Sequence, residues 1–388
     1  MSTPSFEIVA DTNMPLVAEY FGTLGHVRRL TGTDMTPDSI KNADILLVRS
    51  TTKIDAQLLK RSRVKFVGTA TSGFDHVDTD YLREKKIGFA YAPGSNATSV
   101  AEYVVAALLT LSEKYHFNLS GKTVGVIGVG HVGSRVAALL PALDMHVLQN
   151  DPPRAEKTKS TGFVPIDDLM SCDVITLHTP LTTEGAYPTY HLFDARRFGK
   201  LNSGCLFINT SRGAVVETGA LKQAIRNGKI SHAVLDVWEH EPNIDHELID
   251  MVDVATPHIA GYSFDGKVKG TQMLYEAVCD FFNVSHHLRD RTVIQQIQDG
   301  HQTYFDFEHR RASHSSLDRL VRRCYDIQKD DVALRKMLEM AEGKRGEYFR
   351  QLRKNYAVRL DFFHTNVTNV THKETQAKLR ALGFKVLI

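Results

Sequence analysis

Cysteine is scarce in this sequence. Cys172, Cys205, Cys279 and Cys324 are the only four in 388 residues, far apart and in no CxxC spacing. That excludes a disulfide frame and reads as reduced, mostly buried thiols of a cytoplasmic chain. The pair His286–His287 does not suggest an ion, because adjacent side chains seldom point at one metal and zinc-type spacing is absent. No metal is expected. Long apolar runs are missing as well: "AEYVVAALLTL" falls far short of the ~18 residues a membrane span needs. The opening "MSTPSFEIVADTN" has neither a basic start nor an apolar core of signal-peptide length. The expectation is a soluble, cytoplasmic protein with no membrane partner.

Charge of one sign does not dominate, with 47 Lys/Arg against 45 Asp/Glu and a net charge of +2. The balance is uneven along the chain. Residues 285–388 carry 20 Lys/Arg against 13 Asp/Glu, while the preceding 284 residues carry 27 against 32. A basic region of this kind holds nucleic acid, holds a small anion, or is simply a solvated face. It lacks any recognised nucleic-acid motif or basic–aromatic interleaving, so no nucleic-acid partner is expected.

What is present is alternation. "FEIVAD", "ADILLVRS", "VKFVGTA" and "IGFAYAP" read as short buried strands, each followed by turn residues or a polar helix. "TSVAEYVVAALLTLSEKY" (98–115) has helical spacing, with Thr98 or Ser99 as N-cap and Glu102 near N3. A second strand–helix series runs through "KTVGVIGVG", "MHVLQND", "DVITLHTP", "CLFINTS", "HAVLDVW" and "VDVATPH". Such alternation implies parallel sheets with crossover helices. From about residue 285 the texture turns polar, then helical in "LDRLVRRCYDI" and "YFRQLRKNY". It closes on a strand–helix–strand pattern in "VRLDFFHTNV", "KETQAKLRALG" and "FKVLI". That region reads as an α+β domain of its own.

"VGVIGVGHVGSRVAALL" places Gly128-x-Gly130-x-x-Gly133 directly after a strand and before a helix. The first glycine permits the tight turn, the second lets backbone approach a pyrophosphate, and the third lets helix pack on strand. The helix then offers N–H groups near His131 and Val132 to the phosphate charge. Asp151 lies 18 residues past Gly133, at the end of the next strand, where a carboxylate accepts hydrogen bonds from a ribose and repels a 2′-phosphate. NAD is therefore the expected cofactor; Arg154 nearby keeps NADP open. Thr179 in "LHTPL" faces the same crevice by the rule that ligands sit at strand carboxyl ends.

Three further strand ends carry polar residues: Arg212 in "INTSRGAVV", Asp236, Glu239 and Glu241 in "VLDVWEHEP", and His258 in "ATPHIAGYS". Arginine, glutamate and histidine in this arrangement suit oxidation of a 2-hydroxy acid. A guanidinium grips a carboxylate bidentately, and a histidine takes the hydroxyl proton as hydride leaves. A carboxylate beside the ring fixes it and stabilises the imidazolium.

With the order Gly-loop, Asp, Arg, Glu, His, the chain resembles the D-isomer-specific 2-hydroxyacid dehydrogenases over nearly its whole length. "VRSTTK", "DPPRA" and "HIAGYS" with "GKVKGT" are particular to one branch, whose substrate is a small phosphorylated 2-hydroxy acid. The resemblance implies Arg212 and Glu241 as catalytic and His258 as the acid/base. It also implies Ser50, Thr71 and Tyr262 at the substrate, and Asp151, Thr179, Asp236 and Gly261 at NAD. It implies two Rossmann-like doubly wound parallel-sheet domains plus a C-terminal α+β domain that forms a homodimer. The layout is discontinuous: 1–97 with 259–284 for substrate, 98–258 for NAD, and 285–388 for dimerisation. For the substrate phosphate, Arg49 in "VRSTTK" is the expected cation, and Arg353 and Lys354 in "LRKNY" are further candidates. Two alternatives stay open. One is another member of the family, of 3-phosphoglycerate or hydroxypyruvate type; the other is a non-catalytic NAD-sensing corepressor-like protein.

Overall fold

A computed structural model of the protein describes residues 5–285, 302–308 and 311–387. The His286–His287 pair lies outside them. The chain divides into two compact units. The first runs up to Asn96 and resumes from Ser263; the second comprises Ala97–Tyr262 and the C-terminal residues from Gln302.

The first unit holds β1 (Phe6–Asp11), β2 (Gly25–Leu30), β3 (Ile45–Val48), β4 (Phe66–Thr69) and β5 (Gly88–Tyr91). They form one sheet in the order β2-β1-β3-β4-β5, and every pairing is parallel. β3 and β4 are buried at every residue, as a sheet covered on both faces requires. β2, "GHVRRL", carries no apolar run and was not legible as a strand; it is an edge strand with its arginines exposed. The helix Phe264–Phe282 returns to this unit and buries Leu274, Tyr275 and Val278 in the same core as Ile8, Ile45 and Phe66.

The second unit holds β6 (Thr123–Ile127), β7 (His146–Asn150), β8 (Val174–Leu177), β9 (Cys205–Asn209), β10 (Ile230–Leu235) and β11 (Val254–Ala255). Their order is β11-β10-β9-β8-β6-β7, again all parallel. The strand order reverses beside β6, with β7 on one side and β8 on the other. A crevice opens at the carboxyl end of such a switch point. β12 (Thr303–Asp306), β13 (Thr365–Thr368) and β14 (Lys385–Val386) make a third parallel sheet.

The C-terminal residues share a core with the rest of their unit. Leu320, Val321, Tyr325, Phe362 and Leu379 join one apolar cluster with Tyr103, Val104 and Leu108 of the helix Ala97–Tyr115. That helix is buried almost throughout, and its start differs from the sequence expectation. It begins at Ala97, so Thr98 and Ser99 lie inside its first turn. Ser99 Oγ donates to Asp361 at 3.2 Å, and Glu102 Oε1 accepts from the Phe362 N–H at 2.8 Å. Ser99 and Glu102 thus bind the distant C-terminal segment. No described helix is long and apolar enough to cross a membrane.

Candidate active site

In the second unit, the expected residues follow the carboxyl ends of successive strands of one sheet. β6 leads into Gly128–Gly133, β7 into Asp151, β8 into Thr179, β9 into Arg212, β10 into Asp236 and β11 into His258. Right-handed crossovers of a parallel sheet deliver all these ends to one edge.

The glycine loop has the shape an anionic cofactor needs. Gly128 has φ +82°, and a Cβ there would meet the His178 carbonyl and Thr179 at 2.8 Å. A Cβ on Gly133 would lie 1.9 Å from the Gly128 oxygen, so the helix His131–Leu139 approaches the loop only because that position is glycine. A Cβ on Gly130 would meet nothing within 4 Å among the described residues, so this side of the loop is free for a ligand. His131 and Val132 open the helix, where backbone N–H groups are unpaired by geometry.

Asp151 braces this loop. Its Oδ2 accepts from the Val129 N–H at 2.8 Å and its Oδ1 caps the next helix at the Arg154 N–H, 3.0 Å away. Each carboxylate oxygen keeps a second lone pair for a ribose hydroxyl. Arg154 turns its guanidinium to the Val129 carbonyl, which commits it to the loop. The Thr179 hydroxyl is buried and finds no hydrogen-bond partner among the described residues. A buried unpaired hydroxyl costs free energy unless a ligand satisfies it. These features fit NAD at the switch point.

His258 and Glu241 meet. The His258 Nδ1–H donates to Glu241 Oε2 at 2.8 Å, and Glu241 Oε1 accepts from the Trp238 N–H at 3.0 Å. With Nδ1 occupied, the neutral ring presents Nε2 as its acceptor. The His258 side chain retains 30% exposure, enough to admit a reactant. Burial alone would raise the Glu241 pKa. The charge and hydrogen bond of His258, the Arg353 guanidinium and the Trp238 N–H outweigh it and hold the carboxyl below the ordinary range. Glu239, the residue after Trp238, goes elsewhere: it pairs with His191 Nε2 at 2.7 Å and accepts from the Thr218 N–H at 2.8 Å. Of the two glutamates in "EHEP", only Glu241 partners His258.

The turn carrying His258 is over-determined. His258 has φ +58°, a left-handed conformation that costs a β-carbon-bearing residue about 1 kcal/mol. Its N–H donates to the Asp236 carbonyl at 2.7 Å. The Asp236 carboxylate, itself 1% exposed, accepts from Ile259 N, Ala260 N and Thr256 Oγ1 at 2.6–2.9 Å. Asp236 therefore holds the turn, while Gly261 and Tyr262 complete it with the Tyr262 N–H on the Ile259 carbonyl.

Arg212 follows β9 in extended backbone. Asn209 orders its loop, donating to the Arg212 carbonyl at 3.1 Å and accepting from Ser211 N and Oγ. A Cβ on Gly213 would sit 1.9 Å from the Trp238 carbonyl, so the Arg212 loop lies directly on the loop that carries Glu241.

In the first unit, Arg49 and Ser50 follow β3, and Thr71 follows the adjacent β4. The Thr71 hydroxyl meets Thr69 at 2.7 Å and the Gly73 carbonyl at 2.6 Å. Lys267, on the helix Phe264–Phe282, was not singled out by sequence. Burial, and then the charge of Arg49, push its pKa down to about 8. Its only signal was its place in the quoted "GKVKGT". His178 was also passed over. It bridges Thr176 and Thr210 at 2.9 and 3.1 Å, and burial pulls its pKa down to about 3, so it is a neutral spacer between strand ends. No group of three or more His, Cys, Asp or Glu side chains among the described residues is arranged to hold a metal.

Comparison with known proteins identifies the family. Residues 96–260 match the model of the D-isomer specific 2-hydroxyacid dehydrogenase NAD binding domain, and residues 302–383 match a domain of unknown function, DUF3410. The chain is 45% identical to erythronate-4-phosphate dehydrogenase of Salinibacter ruber over 98% of its own length and 99% of the relative's. It is 42% identical to the enzyme of the same name from Marinobacter nauticus over 98% and 100%. Among solved structures, 3-phosphoglycerate dehydrogenase of Entamoeba histolytica with bound NAD⁺ matches with TM-score 0.63 and 26% identity, covering 72% of this chain and 96% of that one. D-lactate dehydrogenase of Aquifex aeolicus matches with TM-score 0.55 and 28% identity, covering 71% and 96%. The chain therefore belongs to the D-isomer specific 2-hydroxyacid dehydrogenase family, in the branch of the erythronate-4-phosphate dehydrogenases, and is an NAD-dependent oxidoreductase.

Proposed function

We propose that the protein oxidises 4-phospho-D-erythronate to (R)-3-hydroxy-2-oxo-4-phosphooxybutanoate in pyridoxine 5′-phosphate biosynthesis, in the cytoplasm. The observation that carries this reading is the His258–Glu241 pair at 2.8 Å on the strand edge shared with the glycine loop and Arg212. NAD⁺, when bound, supplies the hydride acceptor for C2. Arg212 grips the substrate carboxylate through parallel N–H donors and fixes C2 in place. His258 Nε2 takes the C2 hydroxyl proton, so that the C–O single bond becomes a carbonyl as the C2–H pair of electrons leaves. Glu241 keeps the ring oriented and stabilises the imidazolium that results. Ser50, Thr71 and Tyr262 contact substrate in this reading. Asp151, Thr179, Asp236 and Gly261 serve the cofactor.

Phosphate recognition is assigned to Arg49. Its support is the neighbouring Lys267: two cations made to share a half-buried place repel one another until an anion joins them. The C-terminal residues are proposed to form a homodimer contact, supported by Val358 and Tyr304, which remain 74% and 67% exposed there.

The test supplies NAD⁺ with 4-phospho-D-erythronate or 3-phosphoglycerate, with a 2-oxo acid present to reoxidise a retained cofactor, and follows both NADH absorbance and 2-oxo acid consumption. Turnover with phosphoerythronate alone is the expected result. Turnover confined to phosphoglycerate would keep the chemistry and reject the substrate.

A further inference from the structure

The turn His258–Tyr262 is also held from its far side, by residues more than ninety positions later. Arg359 Nη1 donates to the Ala260 carbonyl at 3.1 Å, and its Nη2 donates to the Ser99 carbonyl at 2.6 Å. Arg359 is 5% exposed, and its guanidinium lies 3.8 Å from the centre of the Tyr325 ring. The Tyr325 hydroxyl donates to Asp330 at 2.9 Å, and the Tyr356 hydroxyl donates to the same Asp330 oxygen at 2.7 Å. The Tyr356 ring meets the Tyr262 ring edge-on at 5.8 Å. The contacts thus leave the turn at Ala260, pass through Arg359, Tyr325, Asp330 and Tyr356, and return to it at Tyr262.

Arg353 reaches the same turn. Its guanidinium lies 5.8 Å from the Tyr262 ring centre and hydrogen-bonds the Tyr262 side chain. Its Nε is buried and unpartnered among the described residues. Glu241 and Asp236 are among the acids whose charge acts on it. All of these groups belong to the second unit, which also carries Arg212, Glu241 and His258.

We propose that the C-terminal segment is part of the catalytic apparatus, with Arg353, Tyr356 and Arg359 acting as positioning residues for the turn that carries His258 and Tyr262. Arg359 fixes the backbone through the Ala260 carbonyl, opposite the Asp236 carboxylate that takes Ile259 and Ala260 N–H. Between them, both polar faces of the strained turn are tied, which is what a left-handed histidine needs to persist. Arg353 and Tyr356 both pack on the Tyr262 ring. Arg353 also places a positive charge near Glu241 and helps keep that carboxylate ionised beside His258. On this account the region adds precision to proton transfer, and a chain shortened before it would lose turnover and not merely association.

The inference rests on His258 as the proton acceptor, so the variants are compared on whichever 2-hydroxy acid the parent protein oxidises. Arg353→Met, Tyr356→Phe and Arg359→Met are measured beside Arg353→Lys and Arg359→Lys, in the full chain. The Met variants are expected to lose kcat by about 10–100-fold, the scale that ångström-sized misplacement of a reacting group costs. NAD affinity falls by less than kcat does, because the glycine loop is untouched while the turn that carries Gly261 is loosened. In Arg353→Met the acid limb of kcat/KM moves to higher pH, since Glu241, deprived of that positive charge, protonates more readily. The Lys variants recover part of kcat.

Parent-like kcat and an unmoved acid limb in Arg353→Met, together with parent-like kcat in Tyr356→Phe, would overturn the proposal. These two carry the test if Arg359→Met does not fold. If the parent oxidises no 2-hydroxy acid, the functional reading fails separately, and the lone tryptophan decides the brace. Trp238 donates to the Thr256 carbonyl at 2.9 Å within the same turn system. A red-shifted emission in Arg353→Met or Tyr356→Phe supports the brace, and a parent-like spectrum in both rejects it.

Discussion

At the scale of single residues, the site depends on which of two nearby glutamates reaches the histidine. The "EHEP" stretch offers Glu239 and Glu241, and spacing does not choose between them. The fold does, because Glu239 is drawn to His191 and Thr218 while Glu241 turns back to Trp238 N–H and His258. The resemblance had named Glu241; the bare residue pattern had not. His258→Gln keeps a polar ring-sized side chain without a base, and is expected to lower kcat by about 10²–10⁴-fold, the usual worth of general acid–base catalysis. Its NAD affinity, read by Trp238 quenching, should stay near that of the parent protein.

The Glu241 shift carries a sign. A carboxyl held below its ordinary value is stabilising while ionised, so its contribution is complete above the usual carboxylate range, near 4.3. It is lost as pH falls through the depressed value. Activity should therefore survive mild acid as far as Glu241 is concerned. In Glu241→Gln, kcat at neutral pH is expected to fall about 10²-fold or more, because the imidazolium loses its anion. Lys267 gives a second prediction at this scale. Lys267→Met is expected to raise KM for phosphoerythronate by about tenfold, the worth of one charge-assisted hydrogen bond. KM for unphosphorylated erythronate should stay unchanged, and equal effects on both substrates would remove Lys267 from phosphate recognition.

At the scale of elements, the strands most legible in sequence were the buried ones. β3, β4, β8 and β9 are buried at every position and read as mostly apolar runs. β2 was not legible, because an edge strand with one solvated side carries arginines where a central strand carries valines. The helix Ala97–Tyr115 was placed to within a residue, yet its first-turn polar residues were misassigned. Ser99 and Glu102 resemble cap residues by spacing, and only the fold brings Asp361 and Phe362 to them. The glycine loop was legible because its spacing between strand and helix is a local motif, although the close approach of His178 and Thr179 to Gly128 comes from the fold. It makes a sharp prediction. Gly133→Ala puts a Cβ 1.9 Å from the Gly128 oxygen, so helix and loop must separate. NAD binding, measured by calorimetry, should weaken at least about tenfold, and the melting temperature should fall; an unchanged dissociation constant would contradict the role given to that glycine.

At the scale of the whole molecule, both larger units place their informative residues at the carboxyl ends of parallel strands. In one these are Arg49, Ser50 and Thr71, and in the other the glycine loop, Arg212 and His258. The architecture was legible because alternation of strand and helix allows few topologies. The role of the C-terminal region was less so. Its charge and periodicity marked a change of texture, but no sequence rule says that Arg359 meets the Ala260 carbonyl or that Phe362 and Leu379 enter the core of a distant helix. If Val358 and Tyr304 lie in a homodimer contact, light scattering should give twice the 43.4 kDa chain mass. A charge at both positions should halve that value while the melting curve of the monomer remains cooperative.

The most direct measurement is a single turnover: stoichiometric NADH formed when the NAD-loaded protein is mixed rapidly with 4-phospho-D-erythronate, in parent and His258→Gln. A burst approaching one NADH per chain in the parent, slowed by about 10²-fold or more in the variant, is the predicted result. A burst of equal rate in both would contradict His258 as the base, and no burst in the parent despite bound NAD would contradict the assigned reaction itself.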